Sequence, residues 1–413
     1  MQDIIDIFEE RGFVEQITDR EGLKRLAEDT ITCYIGFDPT AKSLHVGNLI
    51  PIMALSHMQR QGHRPIVVMG GGTALVGDPS GKTEARPIMS REEIEENAER
   101  LKVQFKKFLD FSEGRAIMVN NADWLVELKY IDFLREIGRH FSVNRMLSAE
   151  SYKIRLKTGL SFIEFNYMLL QAYDFWYLFK HYNCRLQMGG NDQWGNIVAG
   201  IELTRRLEGE TIYGLTFPLI TTSSGMKMGK THKGAVWLDP KLTSPYEYYQ
   251  YWINQDDRDV ERFLALFTFL PMDEVRRLGA LKDEAIREAK EILAYEATKI
   301  CHGEEEAKRA REASKILFSK SSPKEAPDTI PTVLLPYSEI EEGIPAYILF
   351  HRAGLCSSRS EARRLIGQGG GYINNKGVES FDQIIDLSYL KDDYILLKAG
   401  KKRFVKVKIK RDT

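Results

Sequence analysis

Five short apolar runs stand out along the first half of the chain: 31–37 (ITCYIGF), 65–69 (PIVVM), 115–119 (RAIMV), 184–188 (CRLQM) and 216–220 (TFPLI). Their length and content fit buried strands. Between them, apolar residues recur at helical period over about 46–61, 91–110, 131–140, 161–181 and 192–208. Ser90 followed by Glu93 forms a capping box that opens the second of these helices. Strands alternating with helices predict a mostly parallel sheet covered on both faces, hence an α/β domain over residues 1–220.

The strand signal stops near residue 245. Segments 246–254, 257–270, 273–280, 283–301 and 304–318 are rich in Glu, Arg, Lys, Leu and Ala, and predict a helical domain over 246–320. Residues 321–345 carry Pro323, Pro327, Pro331, Pro336 and Pro345, which is linker composition with some extended structure, and the linker is expected over 321–342. A small α+β module is expected over 343–413, with helices near 345–352 and 358–367, then glycines 369–371, then strands.

With 413 residues, two or three domains are expected. No apolar run approaches the roughly 20 residues that span a bilayer, so no membrane partner is expected. The start, MQDIIDIFEERG, is acidic where an export signal would be basic. The four cysteines, at 33, 184, 301 and 356, form no close pair, which disfavours a disulfide framework and a structural zinc site. A reducing cytoplasm is the expected setting. Net charge refines the picture. Residues 343–413 hold 14 Lys/Arg against 7 Asp/Glu, a surplus of +7, so the remainder carries −8 within a total of −1. A basic tail on an acidic body points to a polyanionic partner for the tail, or to a merely solvated surface.

Candidate chemistry begins where Tyr34-Ile35-Gly36-Phe37-Asp38-Pro39-Thr40 leads from the first strand into His45-Val46-Gly47-Asn48. Open α/β sheets bind ligands at the carboxyl ends of their strands. A helix N-terminus adds donors suited to phosphate, and Gly47 admits close backbone approach. Alone, His45 is equally the cap of a surface helix. The second signal is Lys227-Met228-Gly229-Lys230-Thr231, after the last strand of the domain. Two lysines three apart make a cationic clamp for developing phosphate charge, although such a loop alone is more often merely solvated. Gly77-Asp78-Pro79-Ser80-Gly81-Lys82-Thr83 is not a Walker A loop, which requires glycine where Val76 stands.

The pair HxGN and KMGKT resembles the two signatures of class I aminoacyl-tRNA synthetases, and the whole chain resembles their bacterial tyrosine-specific branch. Asn48 replaces the last His of the first signature, and Gly229 replaces a Ser of the second. The resemblance implies a Rossmann-like catalytic domain with a dimerising insertion near 120–165, and a signature loop with linker over 221–245. It further implies activation of L-tyrosine by ATP with Mg²⁺ on the phosphates, then transfer to the 3′ end of tRNA(Tyr). No protein-held metal is expected, and the family is homodimeric.

Site roles follow from the same resemblance. Tyr167, Gln171 and Asp174, at i, i+4 and i+7, share one helix face. Asp174 with Tyr34 would receive the substrate phenol, while Asp78, Tyr167 and Gln171 would hold its ammonium and Gln193 would lie near its carboxylate. Thr40, His45, Lys227, Lys230 and Thr231 would meet the phosphates, with Asn48 at the ribose and Lys82 and Arg86 over the departing pyrophosphate. Gly36, Asp38, Gly47, Gly190 and Asp192 complete the ATP site. A solvent-facing polar stripe, an ordinary Gly-rich turn, and Asp192 as a helix cap remain the plainer alternatives. In the tail, Arg359, Arg363 and Arg364 lie on or beside a helix preceding GQGGGYINNKG, which resembles a small RNA-binding domain first named in a ribosomal protein. Two rivals are a tryptophan-specific enzyme, which should lack the Tyr34/Asp174 pair, and a non-catalytic RNA-binding relative, which should have damaged signature loops.

Overall fold

The computed structural model describes residues 3–81, 89–225, 228–231, 234–318, 330–391, 393–400 and 403–410, with backbone alone for 151, 154, 230, 231 and 318. Lys82, Arg86 and Lys227 lie outside the described residues, and of Lys230 and Thr231 only the backbone is described. The chain forms two compact units: 1–230 with 235–239 and 256–289, and 231–234 with 240–255 and 290–413.

The first unit is built on a six-stranded sheet. Its strands are β1 (Gln16–Ile17), β2 (Thr32–Phe37), β3 (Arg64–Met69), β4 (Ile117–Asn120), β5 (Cys184–Gly190) and β6 (Tyr213–Phe217). The spatial order is β1-β6-β5-β2-β3-β4, parallel from β6 to β4, with β1 antiparallel at the edge. Four predicted strands fall where expected. The fifth is corrected from 216–220 to Tyr213–Phe217, because Pro218 has no N–H to continue the ladder. The sheet is buried on both faces, so its strands read as apolar runs: Ile66, Val67, Val68 and Met69 are all buried.

Helices α1 (Leu49–Arg60), α2 (Arg91–Phe105), α3 (Tyr167–Tyr182) and α4 (Trp194–Glu208) cover this sheet. The Ser90–Glu93 capping box opens α2 as predicted. Short helices fill 122–165, where Arg155 and Glu164 form a buried ion pair at 3.1 Å.

The helical region expected over 246–320 is divided between the units. Val260–Phe267 belongs to the first, burying Phe263, Leu264 and Leu266. The Arg11 guanidinium satisfies its terminal carbonyls, donating to Ala265 O at 2.9 Å and Thr268 O at 3.1 Å. In the second unit, Tyr246, Ala313 and Leu317 share a core with Tyr394, Leu396 and Phe404.

The terminal sheet runs Lys376–Gly377, Gly371–Ile373, Tyr394–Ala399, Arg403–Lys410, Thr332–Pro336. Its last pair is parallel, and the others are antiparallel. Thr332–Pro336 falls within the segment read as linker, so the sheet begins before residue 343. The extended structure expected here is this strand: Pro331 precedes it and Pro336 ends it, at the sheet edge, where a missing N–H is tolerated.

Candidate active site

Leaving β2, the chain builds outward through β3 and β4 on one side, then returns through β5 and β6 on the other. The crevice at the carboxyl ends of β2 and β5 is therefore the topological switch point, where open sheets bind ligands. Every element ending there contributes polar side chains. β2 delivers Tyr34 and Asp38, the turn after β3 delivers Thr73 and Asp78, β4 delivers Asn121, and β5 leads to Asp192 and Gln193. α3 crosses with Tyr167, Gln171 and Asp174, the single face read from the sequence.

At one end lies Asp174, 3% exposed. Asn121 Nδ2 donates to Oδ2 at 2.9 Å, and Trp124 Nε1 to Oδ1 at 2.7 Å. Stacking of Trp124 on Tyr177, with centroids 4.4 Å apart, holds that indole in place. Burial pushes the Asp174 pKa up to about 7 despite the two donors, and the Asp38 charge adds to the rise. The Tyr34 hydroxyl is buried with no hydrogen-bond partner among the described residues. A buried polar atom left unpaired costs free energy, which a ligand hydroxyl placed between Tyr34 and Asp174 would relieve.

A hydrogen-bond chain joins this end to the other. Asn121 Nδ2 also donates to Thr73 Oγ1 at 2.9 Å, Thr73 donates to Asp38 Oδ1 at 2.8 Å, and Tyr167 donates to Asp38 Oδ2 at 3.0 Å. Gly70 makes the arrangement possible, since a Cβ there would collide with the Asp38 carboxylate and the Thr73 hydroxyl. Beyond Asp38 lies Asp78, 7% exposed, accepting from Ser80 N at 2.9 Å and Gln193 Nε2 at 2.8 Å. Its pKa is pushed up to about 6, first by burial and also by the Asp38 charge. Gln171 joins through Asn196, whose Nδ2 donates to its Oε1 at 2.9 Å. Three carboxylates thus share one water-poor site in which Asp38 disfavours the charge of the other two, an arrangement that a bound cation relieves.

The signature turn is organised by its own capping box. His45 Nδ1 accepts from Gly47 N at 3.0 Å, and Asn48 Oδ1 accepts from His45 N at 3.0 Å. An Nδ1 that accepts leaves the proton of a neutral ring on Nε2, and an Oδ1 that accepts leaves the Asn48 amide as donor. A Cβ on Gly229, where φ is +79°, would lie 2.7 Å from the Gly47 amide nitrogen. Gly229 O accepts from Val236 N at 3.0 Å, and Val46 N donates to Val236 O at 2.9 Å. The two signatures, about 180 residues apart, thus meet backbone to backbone. The glycine in place of the signature Ser is what this contact and this φ require.

On the other side, Gly81 and Gly190 both pack on Asp192: a Cβ on either would lie 2.7 Å from its carboxylate. Gly36 faces open space, and Thr40 is exposed, its N–H donating to Asp38 O at 2.8 Å. The crevice therefore gathers Asp38, Tyr167 and Asp174 on one hydrogen-bonded chain and Asp78, Gln171 and Gln193 on another, with Tyr34 beside Asp174 and with His45, Gly47, Asn48 and Gly229 in a further cluster. In the other unit, Arg359, Arg363 and Arg364 are exposed on helix Arg359–Gly367, and Arg363 lies 4.1 Å from the Tyr347 ring centroid.

Motif reading missed Thr73, Asn121, Trp124 and Asn196. For Thr73 and Asn121 the signal was Gly70-Gly71-Gly72 after β3, where a Cβ on Gly70 would lie 2.6 Å from Thr73 Oγ1 and one on Gly72 3.3 Å from Asn121 Oδ1; nothing local marked Trp124 or Asn196.

Comparison with known proteins gives the family. Residues 26–319 match the family described as class I tRNA synthetases (W and Y), and residues 326–407 match the SYY-like C-terminal domain of tyrosine–tRNA ligase. The chain is 56% identical over 425 residues to a tyrosine–tRNA ligase of Syntrophus aciditrophicus, covering 99% of both chains. It is 57% identical over 419 residues to one of Desulfatibacillum aliphaticivorans, covering 97% of both. A C-terminally truncated mitochondrial tyrosyl-tRNA synthetase of Aspergillus nidulans superposes with a TM-score of 0.70 at 32% identity, over 77% of this chain and 95% of that one. The chain belongs to the class I aminoacyl-tRNA synthetases, in the branch of the tyrosine–tRNA ligases.

Proposed function

We propose that the buried crevice at the end of β2 and β5 is where L-tyrosine is activated by ATP, before its transfer to tRNA(Tyr). The observation carrying this reading is the partnerless buried hydroxyl of Tyr34 in the same pocket as the doubly held carboxylate of Asp174. A substrate phenol there can donate to Asp174 and exchange a hydrogen bond with Tyr34. Phenylalanine would leave the Tyr34 hydroxyl unpaired and would give Asp174 no further donor, which is how a polar pocket rejects an analogue lacking the hydroxyl. That rejection in this enzyme class is a standard worked case. A tryptophan-specific reading is disfavoured by the same pair.

Asp78, Tyr167 and Gln171 then take the ammonium, whose charge offsets the crowding of Asp38 and Asp78. Gln193 sits beside the carboxylate. That carboxylate is already a nucleophile at neutral pH and attacks the α-phosphorus of ATP in line, expelling pyrophosphate, so no general base is needed. What remains for the protein is positioning and electrostatic stabilisation. His45 Nε2–H and the Asn48 amide are donors suited to phosphate and ribose oxygens. Thr40, Lys227, Lys230 and Thr231, with Lys82 and Arg86, complete the phosphate end by resemblance, and Gly36, Gly47, Gly190 and Asp192 the nucleotide bed. Mg²⁺ would come with the substrate ATP, bound to its phosphates.

Homodimerisation through the 120–165 insertion is part of the same proposal. It is supported by exposed apolar side chains there, Ile131 at 69% and Phe162 at 70% among them. Exposed Arg359, Arg363 and Arg364 support a tRNA contact. A cytoplasmic setting is supported by the four buried cysteines, which are not joined in disulfides. No helix among the described residues is long and apolar enough to cross a membrane. The deciding experiment is ATP–pyrophosphate exchange with each of the twenty amino acids. Tyrosine should stimulate it far above all others, and equal stimulation by phenylalanine or tryptophan would overturn the proposal.

A further inference from the structure

Asn196 belongs to no signature, yet it stands where three segments of the site meet. It is 2% exposed on α4, three residues after Gln193. Its Nδ2 donates to Gln171 Oε1 at 2.9 Å and Gln193 Oε1 at 3.1 Å, and lies 3.4 Å from Ser80 Oγ. The direction of these bonds follows from chemistry. An ionised Asp78 carboxylate can only accept, so Gln193 must turn its NH₂ toward Asp78 Oδ2, at 2.8 Å. Gln193 Oε1 then faces Asn196, which must answer with its own NH₂, and that NH₂ in turn requires the oxygen of Gln171. One carboxylate thereby orders three carboxamides in series, and Asn196 is the link between the two glutamines.

We infer that Asn196 is a positioning residue for the amino-acid end of the substrate. By holding Oε1 of both glutamines, it sets which face of each amide meets the ammonium and carboxylate. Without that hold, the Gln171 amide can rotate by half a turn and present the wrong group, while Gln193 keeps only its bond to Asp78. The inference rests on the proposed roles of Gln171 and Gln193.

The test uses the full chain and two ligands. L-tyrosine carries both backbone groups, and 4-ethylphenol keeps only the phenol; each is measured by its effect on tyrosine-dependent exchange. Asn196→Ala and the isosteric Asn196→Asp, which replaces the NH₂ with an acceptor facing two oxygens, should raise the KM for tyrosine about tenfold. The inhibition constant of 4-ethylphenol should stay within about twofold, and kcat should change much less than KM. Equal weakening of both ligands would mean a general loosening of the fold and would overturn the inference, as would an unchanged KM in both variants. Gln171→Ala serves as the reference. If it narrows the gap between the ligands while neither Asn196 variant does, the inference alone fails. If Gln171→Ala leaves the gap intact, the reading beneath it fails as well.

Discussion

The catalytic crevice and the basic terminal module handle charge in opposite ways. In the crevice, Asp78 and Asp174 are 7% and 3% exposed, and burial disfavours their ionised forms. What each can bind depends on a few neighbours at hydrogen-bond distance, and salt reaches them little. In the module, charge is plentiful and exposed: residues 343–413 carry +7, and Arg359 and Arg364 face solvent. Attraction for a polyanion there depends on how many phosphates are neutralised and on salt, with little regard for the placement of any one side chain. On the proposed function, the first region would owe its selectivity to geometry, and the second its affinity to number.

The largest expected effect sharpens that contrast at the crevice. Asp174→Asn would set an amide NH₂ against either Asn121 or the Trp124 N–H, and would remove the charged acceptor. Losing about 3 kcal/mol should lower kcat/KM for tyrosine in the exchange assay roughly a hundredfold, at low and high salt alike. A loss that shrinks as salt is added would erase the distinction between the regions.

Next comes the module. Arg359→Ala combined with Arg364→Ala should weaken tRNA binding about thirtyfold at physiological salt, and reduce the slope of log affinity against log salt by about two. Tyrosine-dependent exchange should be unchanged. Arg363 is left in place because it also stacks on Tyr347 and Phe381, so its removal would mix charge with packing. An unchanged salt slope in a filter-binding series would remove these two arginines from the tRNA contact.

The pH dependence probes the crevice again. Asp78 near 6 and Asp174 near 7 lie above the ordinary aspartate value of 3.8. Between about pH 4 and 7 the folded empty protein therefore binds more protons than the unfolded chain. Its stability should fall as pH rises through that window, and stay level above it. Tyrosine brings a cation that favours the ionised carboxylates, so its affinity should rise about tenfold from about pH 5 to pH 7.5, with protons released on binding. Calorimetry in two buffers of different ionisation enthalpy measures that release. Proton uptake near pH 6 would reverse the sign and contradict the assignment.

The smallest effect is Trp124→Phe. It keeps the stacked ring but removes the N–H to Asp174, which should cost about 1 kcal/mol, or roughly fivefold in tyrosine affinity. The loss should be greater near pH 6 than at pH 8, because the carboxylate is harder to ionise without that donor. A pH-independent loss would mean that the indole acts through packing alone.

Much of this was legible in the sequence because its signals are local. The capping geometry of His45 and Asn48 is written in residues three apart. The shared face of Tyr167, Gln171 and Asp174 follows from helical spacing, and the surplus charge of 343–413 from composition. Strand–helix alternation predicts the parallel sheet, since strands buried on both faces must be apolar throughout. What the tertiary structure decided depends on distant pairing. Asn121 and Trp124 reach Asp174 from 53 and 50 residues away. No window along the chain marks them as its donors. Asn196 reads as an ordinary helical residue until α3 and the Ser80 turn are brought beside it. Thr332–Pro336 looks like linker until Arg403–Lys410 supplies the ladder it joins in parallel. The helices of 246–320 look alike in composition, yet only some of their apolar faces belong to the first unit. Periodicity shows that a face is apolar. Which partner covers it is settled only when the chain closes on itself, because the hydrophobic effect rewards burial without naming what does the burying.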